Sequence, residues 1–181
     1  MKYNYKYYNK IASSYTFTRK FFLFGKIKLI SRIIKLTNIK SITELGCGTG
    51  ETLCKLHKMN SQLNLTGIDL SEGMLNIAKK QNCIINFKNE DIFKLNKIDS
   101  ELIILSYFIT LFEDTESFIK QLYNIISNNT KIIILDFHSF DNYFYRKFMK
   151  KEGVKSIQDI EKIIKNYFQL EEVNTYNSPY L

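Results

Sequence analysis

Short apolar runs alternate with segments of helical periodicity from residue 41 onward, and this alternation is the feature that most restricts the fold. Residues 102–105 and 132–135 are each four consecutive aliphatic residues, a pattern typical of strands buried on both faces. Strands that alternate with helices form a parallel sheet with helices on both sides. The sequence therefore predicts an α/β fold with three layers, a Rossmann-like doubly wound and mostly parallel sheet.

The periodicity also places the individual elements. Strands are predicted at residues 41–45, 63–68, 84–87, 101–106, 131–137 and 170–176. Helices are predicted at residues 20–37, 51–59, 71–81, 114–126, 142–151 and 156–168, with a short one near 7–13. The length of 181 residues favours one domain, residues 1–181.

A glycine-rich turn follows the first predicted strand. The sequence there is Glu44-Leu45-Gly46-Cys47-Gly48-Thr49-Gly50, and Asp69 follows the second strand. Glycines let a backbone approach a ligand closely, and the next helix points its first amides at that ligand. An acid at the end of the second strand can bind ribose hydroxyls. These features predict a site for a nucleoside-containing cofactor.

Other strand ends also carry polar residues, and they belong to the same edge of a parallel sheet. They are Asp91, Ser106-Tyr107 and Asp136-Phe137-His138. A dinucleotide is the competing cofactor, but its fingerprint is G-x-G-x-x-G, whereas the glycines here stand at 46, 48 and 50. Glu51 would also lie against a pyrophosphate at the start of the helix. The pattern favours a cofactor without phosphate.

From about residue 7 to residue 137 the chain resembles the class I S-adenosylmethionine-dependent methyltransferases. The glycine turn matches the first motif of that family, Gly67-Ile68-Asp69-Leu70-Ser71 the second, and Asn89-Glu90-Asp91-Ile92 the third. The resemblance implies S-adenosyl-L-methionine as cofactor and residues 41–137 as the cofactor-binding core. It implies ten cofactor-binding residues: Glu44, Gly46, Gly48, Gly50, Asp69, Leu70, Met74, Asp91, Ile92 and Ser106.

Methyl transfer asks little chemistry of a protein, because the sulfonium is already activated and catalysis is mostly alignment. A general base is needed only where the acceptor must lose a proton. The candidates are His138, Tyr107 and Tyr15. Because the two histidines, His57 and His138, are far apart, no metal site is predicted.

The residues after the fourth predicted strand narrow the choice of acceptor. Nucleic-acid amino methyltransferases resemble one another in an Asn/Asp-Pro-Pro-aromatic motif, whereas this chain has Ser106-Tyr107-Phe108-Ile109, which argues against a nucleic acid. Residues 8–15, YNKIASSY, resemble a segment of the quinone, lipid and small-molecule methyltransferases that folds over the cofactor. The predicted acceptor is therefore a small molecule or lipid, of quinone or phospholipid type.

The net charge of +8 is concentrated at one end of the chain. Residues 1–40 contain ten Lys and Arg, no Asp or Glu, and many aromatic residues. This composition predicts peripheral contact with an anionic membrane, the alternative being a solvated helix whose aromatics pack on the domain. No apolar run reaches the roughly 18 residues of a membrane span. Three cysteines without paired spacing predict a reducing, cytoplasmic location.

The C-terminal region, residues 138–181, is predicted to lie on the substrate side. The family fold has seven strands and ends in an antiparallel hairpin, yet only residues 177–181 follow the last predicted strand. The hairpin is therefore predicted to be incomplete. This leaves a second functional class open, a cofactor-binding but inactive subunit that supports a partner protein.

Overall fold

The computed structural model describes residues 25–137 and 157–175. Its strands are β1 (Ser41–Leu45), β2 (Asn64–Asp69), β3 (Asn86–Asn89), β4 (Leu102–Ser106) and β5 (Lys131–Leu135). They form one parallel sheet in the order β3-β2-β1-β4-β5. The order reverses direction between β1 and β4, the point at which such sheets bind ligands beyond the carboxyl ends of the strands.

Helices connect the strands. They are α1 (Lys26–Ile34), α2 (Glu51–Met59), α3 (Glu72–Ala78), α4 (Thr115–Ile125) and α5 (Ile157–Tyr167), with 3₁₀ turns at Ile92–Lys94 and Ile109–Leu111. Two helix starts are capped as their sequences indicate. The side chain of Ser71 accepts the Met74 amide, and that of Asp114 accepts the Ser117 amide. In the described residues no helix is both long and apolar enough to cross a membrane.

The strand β4 is buried along its whole length and divides the core in two. Leu102 and Ile104 pack with α1 and α2 on one face of the sheet, while Ile103 and Leu105 pack with α4 and α5 on the other. This arrangement follows from the period of two along a strand, which sends successive side chains to opposite faces. It confirms the predicted three-layer Rossmann-like fold.

The bounds of β1 and α2 agree with their predictions, whereas the other elements shift at one or both ends, as three examples show. The first helix ends at Ile34 instead of 37, before Asn38 takes a left-handed backbone with φ 68°. The third strand begins at Asn86 instead of 84, which leaves Ile84 85% exposed. The third helix ends at Ala78 instead of 81. These shifts arise because strand pairing and side-chain packing decide where an element ends. The local sequence pattern carries no information on either.

The last predicted strand, residues 170–176, is wrong for the part that the structure describes. Residues 170–175 form no strand, and Glu171 and Glu172 instead pair with Lys131 and Arg32. These exposed ion pairs place the segment near the start of β5 and near α1, with no ladder of backbone hydrogen bonds. The described sheet therefore has five strands of the seven-stranded plan. The helices predicted at 142–151 and near 7–13 lie outside the described residues.

Candidate functional site

The turn after β1 is built from three glycines in the left-handed region, with φ of 68° at Gly46, 54° at Gly48 and 73° at Gly50. A Cβ on Gly46 would lie 2.1 Å from the Phe108 ring, and one on Gly50 would lie 2.7 Å from Phe87. A Cβ on Gly48 would meet nothing within 4 Å. Packing therefore requires glycine at the two outer positions, while the middle one leaves open space for a ligand.

Asp69, at the end of β2, joins this turn to the next one. Its Oδ2 accepts the Gly48 amide and its Oδ1 accepts the Ser71 amide, both at 2.8 Å. Burial raises the pKa of Asp69, and these amide hydrogen bonds oppose that rise. Each carboxylate oxygen keeps a second lone pair, so Asp69 can still accept hydrogen bonds from a ribose diol.

Glu44, near the end of β1, is only 1% exposed, and its Oε2 has no hydrogen-bond partner among the described residues. Burial raises its pKa to about 7, against the opposing effects of the Lys26 charge and the Thr52 hydroxyl. A buried carboxylate without a partner is costly. A ligand cation placed beside it would remove that cost, as the amino group of a methionyl moiety would.

A cleft opens beyond the carboxyl ends of β1, β2 and β4. Its walls are mostly apolar, with carboxylates on one side, and consist of Leu45, Gly46, Ile68, Asp69, Leu70, Glu90, Asp91, Ile92, Phe108 and Phe112. The Oδ1 atom of Asp91 accepts the Phe93 amide at 3.0 Å, which caps the 3₁₀ turn after β3. Apolar walls suit a flat base, and Asp69 suits a diol, so the cleft fits a nucleoside.

The structure brings most of the predicted cofactor-binding residues together. Five line the cleft, namely Gly46, Asp69, Leu70, Asp91 and Ile92, and Glu44, Gly48 and Gly50 lie in or beside the adjoining turn. Met74 is buried in α3 and does not line this cleft. Ser106 ends β4 outside it, and its buried Oγ has no partner among the described residues.

Tyr107, a predicted candidate for the general base, has its hydroxyl in another role. The hydroxyl accepts the Gly25 amide at 3.2 Å, and burial raises the pKa of Tyr107 to about 12. A phenol with that pKa is protonated at neutral pH, which makes it a poor base. The other two candidates, His138 and Tyr15, lie outside the described residues.

Three residues near the site received no role from the sequence. Asp136 accepts the Thr110 hydroxyl at 2.7 Å and the Phe137 amide at 2.9 Å, and burial raises its pKa to about 6. Lys26 lies close enough to influence Glu44, and Phe108 packs against the glycine turn. Of these three residues, only Asp136 could have been predicted from the sequence, because it is an acid at the end of a predicted strand, as Asp69 is.

The chain is similar to known methyltransferases. The family model for the methyltransferase domain matches residues 43–132. Carboxy-S-adenosyl-L-methionine synthase of Campylobacter hominis is 29% identical over 67% of this chain and 58% of its own length. The ubiquinone/menaquinone biosynthesis C-methyltransferase of Campylobacter jejuni is 26% identical over 72% of this chain and 61% of its own length. The chain thus spans about three fifths of these relatives.

A solved structure agrees on the fold. The plantazolicin methyltransferase in complex with S-adenosylhomocysteine superposes with a TM-score of 0.65, at 24% identity, over 87% of this chain and 68% of that one. The Asp69 bridge and the apolar cleft with its carboxylates fit a cofactor of this kind. The family model, the relatives and the shared fold together support a class I S-adenosylmethionine-dependent methyltransferase.

Proposed function

We propose that this protein transfers the methyl group of S-adenosylmethionine to a small-molecule or lipid-like acceptor, of quinone or phospholipid type. The observation that carries the proposal is the buried carboxylate of Glu44, whose Oε2 has no partner among the described residues, next along the chain to Leu45 and Gly46, which line the cleft. The site thereby offers a carboxylate for an ammonium group, Asp69 for a diol and apolar walls for a base. That combination matches a cofactor with an amino acid and a nucleoside but no phosphate.

The chain's own contribution to the reaction is to hold and orient. When bound, S-adenosylmethionine supplies an electrophilic methyl carbon on its sulfonium. Asp69 would hold the ribose and Glu44 the amino group, while the open space at Gly48 admits the ligand. The ends of β4 and β5 would border the acceptor, since Tyr107 and Phe137 place their rings 4.8 Å apart there. Alignment and exclusion of water supply the acceleration.

Three observations support the class of acceptor. The motif of the nucleic-acid amino methyltransferases is replaced by Ser106-Tyr107-Phe108-Ile109, and residues 8–15 resemble the quinone and lipid branch. The Campylobacter jejuni relative is named as a quinone C-methyltransferase. Aromatic rings at the end of β4 suit a flat or apolar acceptor.

A peripheral contact with an anionic membrane through residues 1–40 remains part of the proposal. In the described portion, α1 leaves Ile27 69% exposed between the basic residues Lys26 and Lys28. Flotation with vesicles containing acidic lipid is expected to recover the protein at low salt and to lose it at high salt. Absence from the lipid fraction at low salt would contradict this contact.

The reducing, cytoplasmic location stays a prediction, with all three cysteines free in the structure.

A second function is kept because cofactor binding does not by itself specify methyl transfer. The Campylobacter hominis relative is named for the synthesis of a carboxylated form of the cofactor. The described sheet also has five strands of the seven-stranded plan. The chain could therefore serve as a cofactor-binding, inactive subunit that supports a partner protein.

Methyl-labelled S-adenosylmethionine separates the two functions. The purified chain, incubated with a lipid or quinone extract, is expected to move label into the organic phase. A Glu44→Gln variant serves as control, since it keeps the side-chain shape but loses the charge. Calorimetric binding of S-adenosylhomocysteine without label transfer would support the inactive subunit. Failure to bind S-adenosylhomocysteine at all would contradict both functions.

A further inference from the structure

Two of the three cysteines lie together, and neither lines the cleft. Cys54 belongs to α2, and Cys83 lies in the segment between α3 and β3. The Cys83 thiol donates to the Cys54 backbone carbonyl at 3.9 Å, and it also hydrogen-bonds the Cys54 thiol. The third cysteine, Cys47, donates instead to the Gly48 carbonyl. The fold therefore brings two thiols together across 29 positions of the chain.

The segment that carries Cys83 is attached near the start of α2 at a second point. The Gln81 side-chain amide donates to the Thr49 carbonyl in the glycine turn, and the Cys83 amide donates to the Gln81 carbonyl at 2.8 Å. On the α2 side of the contact, the Cys54 amide donates to the Gly50 carbonyl at 2.9 Å. These hydrogen bonds hold Cys83 against α2, so its thiol stays near Cys54.

The two thiols differ in their access to solvent. Cys54 is only 2% exposed, whereas Cys83 is partly exposed and the next residue, Ile84, is 85% exposed. Burial and then the neighbouring Cys83 thiol raise the pKa of Cys54 to about 12. An oxidant from solvent therefore meets Cys83 first, and Cys54 is placed to react second, from within the protein.

A metal ion is the other common use of neighbouring cysteines. Among residues 25–137 and 157–175, no group of three or more His, Cys, Asp or Glu side chains is arranged to hold one. Two thiols alone fall short of the four ligands of a structural zinc site. Oxidation is therefore the chemistry that this pair of thiols favours.

We infer that Cys54 and Cys83 are a redox-sensitive thiol pair, whose reversible disulfide fastens the segment before β3 to the helix that follows the glycine turn. The oxidant is a low-molecular-weight disulfide, such as oxidised glutathione. No bound cofactor takes part, so the test of this inference is separate from the test of the proposed function.

The reaction is a pair of thiol–disulfide exchanges. The Cys83 thiol loses its proton and its sulfur attacks one sulfur of the oxidant, which releases a first glutathione thiolate that takes up that proton. The Cys54 thiol then loses its proton, and its sulfur attacks the Cys83 sulfur. This attack breaks the mixed disulfide and releases a second glutathione, which takes up the second proton. Two protein thiols are thus oxidised while one small disulfide is reduced.

The disulfide closes a loop from residue 54 to residue 83. A closed loop restricts the unfolded chain, so the oxidised protein should be more stable than the reduced one. We expect its melting temperature to be higher by about 5–10 °C, and we expect dithiothreitol to reverse this rise.

The experiment treats the purified chain with oxidised glutathione and counts its thiols after unfolding. Three free thiols are expected before oxidation and one after it, with a mass loss of two hydrogen atoms and no dimer on a non-reducing gel. Digestion after Glu51 and Lys55 separates Cys47 from Cys54. The peptide with Cys54 should then be recovered joined to the peptide with Cys83.

Single substitutions provide matched controls. Cys83→Ser changes a partly exposed position, and it should keep both remaining thiols and lose the rise in melting temperature. Cys54→Ala should leave Cys83 as a mixed disulfide with glutathione, because the second thiol is missing. Cys47→Ala should still form the disulfide and should retain no free thiol.

Several results would overturn the inference. One is a disulfide that joins Cys47 to either partner, or one that joins two chains. Another is a wild-type protein in which Cys83 remains joined to glutathione, or in which all three thiols stay free. A melting temperature that does not change once the disulfide is confirmed would contradict the fastening of the segment to α2.

Discussion

The two halves of the sheet edge hold their turns in different ways. After β1, three glycines adopt the left-handed conformation. Asp69 bridges the turns after β1 and β2 by accepting the amides of Gly48 and Ser71. After β4 and β5, Tyr107 adopts the left-handed conformation and is held by Gly25, Leu135 and Phe137. The half after β1 and β2 is therefore specified by residue type within a motif, and the half after β4 and β5 by contacts that are distant in sequence.

Gly46→Ala should break the half after β1 and β2 most severely. Its Cβ would meet the Phe108 ring at 2.1 Å in a backbone conformation that alanine disfavours, so we expect a loss of about 4 kcal/mol in the free energy of unfolding. Urea denaturation measures the loss. Gly48→Ala is the matched control, because Gly48 also has a positive φ but a Cβ there would meet open space. This variant should lose about 1 kcal/mol in the free energy of unfolding. Equal losses in the two variants would show that packing on Phe108 is unimportant.

The pH dependence of stability should expose Glu44. Its folded pKa of about 7 exceeds the ordinary 4.5, so the folded state binds more protons than the unfolded state between these values. The free energy of unfolding should therefore fall as pH rises from about 4 to 8, by about 3 kcal/mol in all.

Urea denaturation at several pH values tests this expectation, and Glu44→Gln should remove most of the slope above about pH 6. Asp136, with its pKa raised to about 6, adds a slope of the same sign and of comparable size at lower pH. A Glu44→Gln variant that keeps the full slope would locate the titration elsewhere.

Asn substitutions of the two bridging acids should separate the halves by function. Asp69→Asn leaves one oxygen to serve two amides and the ribose, so affinity for S-adenosylhomocysteine should fall about tenfold or more. Asp136→Asn weakens the contact with Thr110 beyond the ends of β4 and β5. It should change the affinity for S-adenosylhomocysteine by no more than about twofold relative to the wild-type protein. Calorimetry measures both, and equal losses would contradict the division into halves.

The smallest effect is expected at the segment that follows α5. Glu172 pairs with Arg32, and both side chains are about half exposed. Such surface pairs contribute little, so Glu172→Gln should change the free energy of unfolding by about 0.5 kcal/mol or less. A loss several times larger in chemical denaturation would mean that this segment supports the edge of the sheet.

The same division explains which features the sequence could predict. The bounds of β1 and α2 and the positions of Asp69 and Asp91 were readable because glycines, caps and strand ends lie within a few residues of one another. The hydrogen bond between Gly25 and Tyr107 joins residues 82 positions apart, and no local sequence pattern predicts it. Lys26 was overlooked for the same reason, and the buried place of Met74 was decided by packing of α3.

The bridge made by Asp69 has a consequence for how the cofactor is captured. Because Asp69 ties the glycine turn to the end of β2 through amides of the protein itself, the backbone of the turn has little loop-ordering entropy to lose on binding. Such a receptor is preorganised. Capture of the nucleoside should therefore resemble docking onto a rigid surface, with an association rate that changes little with temperature beyond that of diffusion.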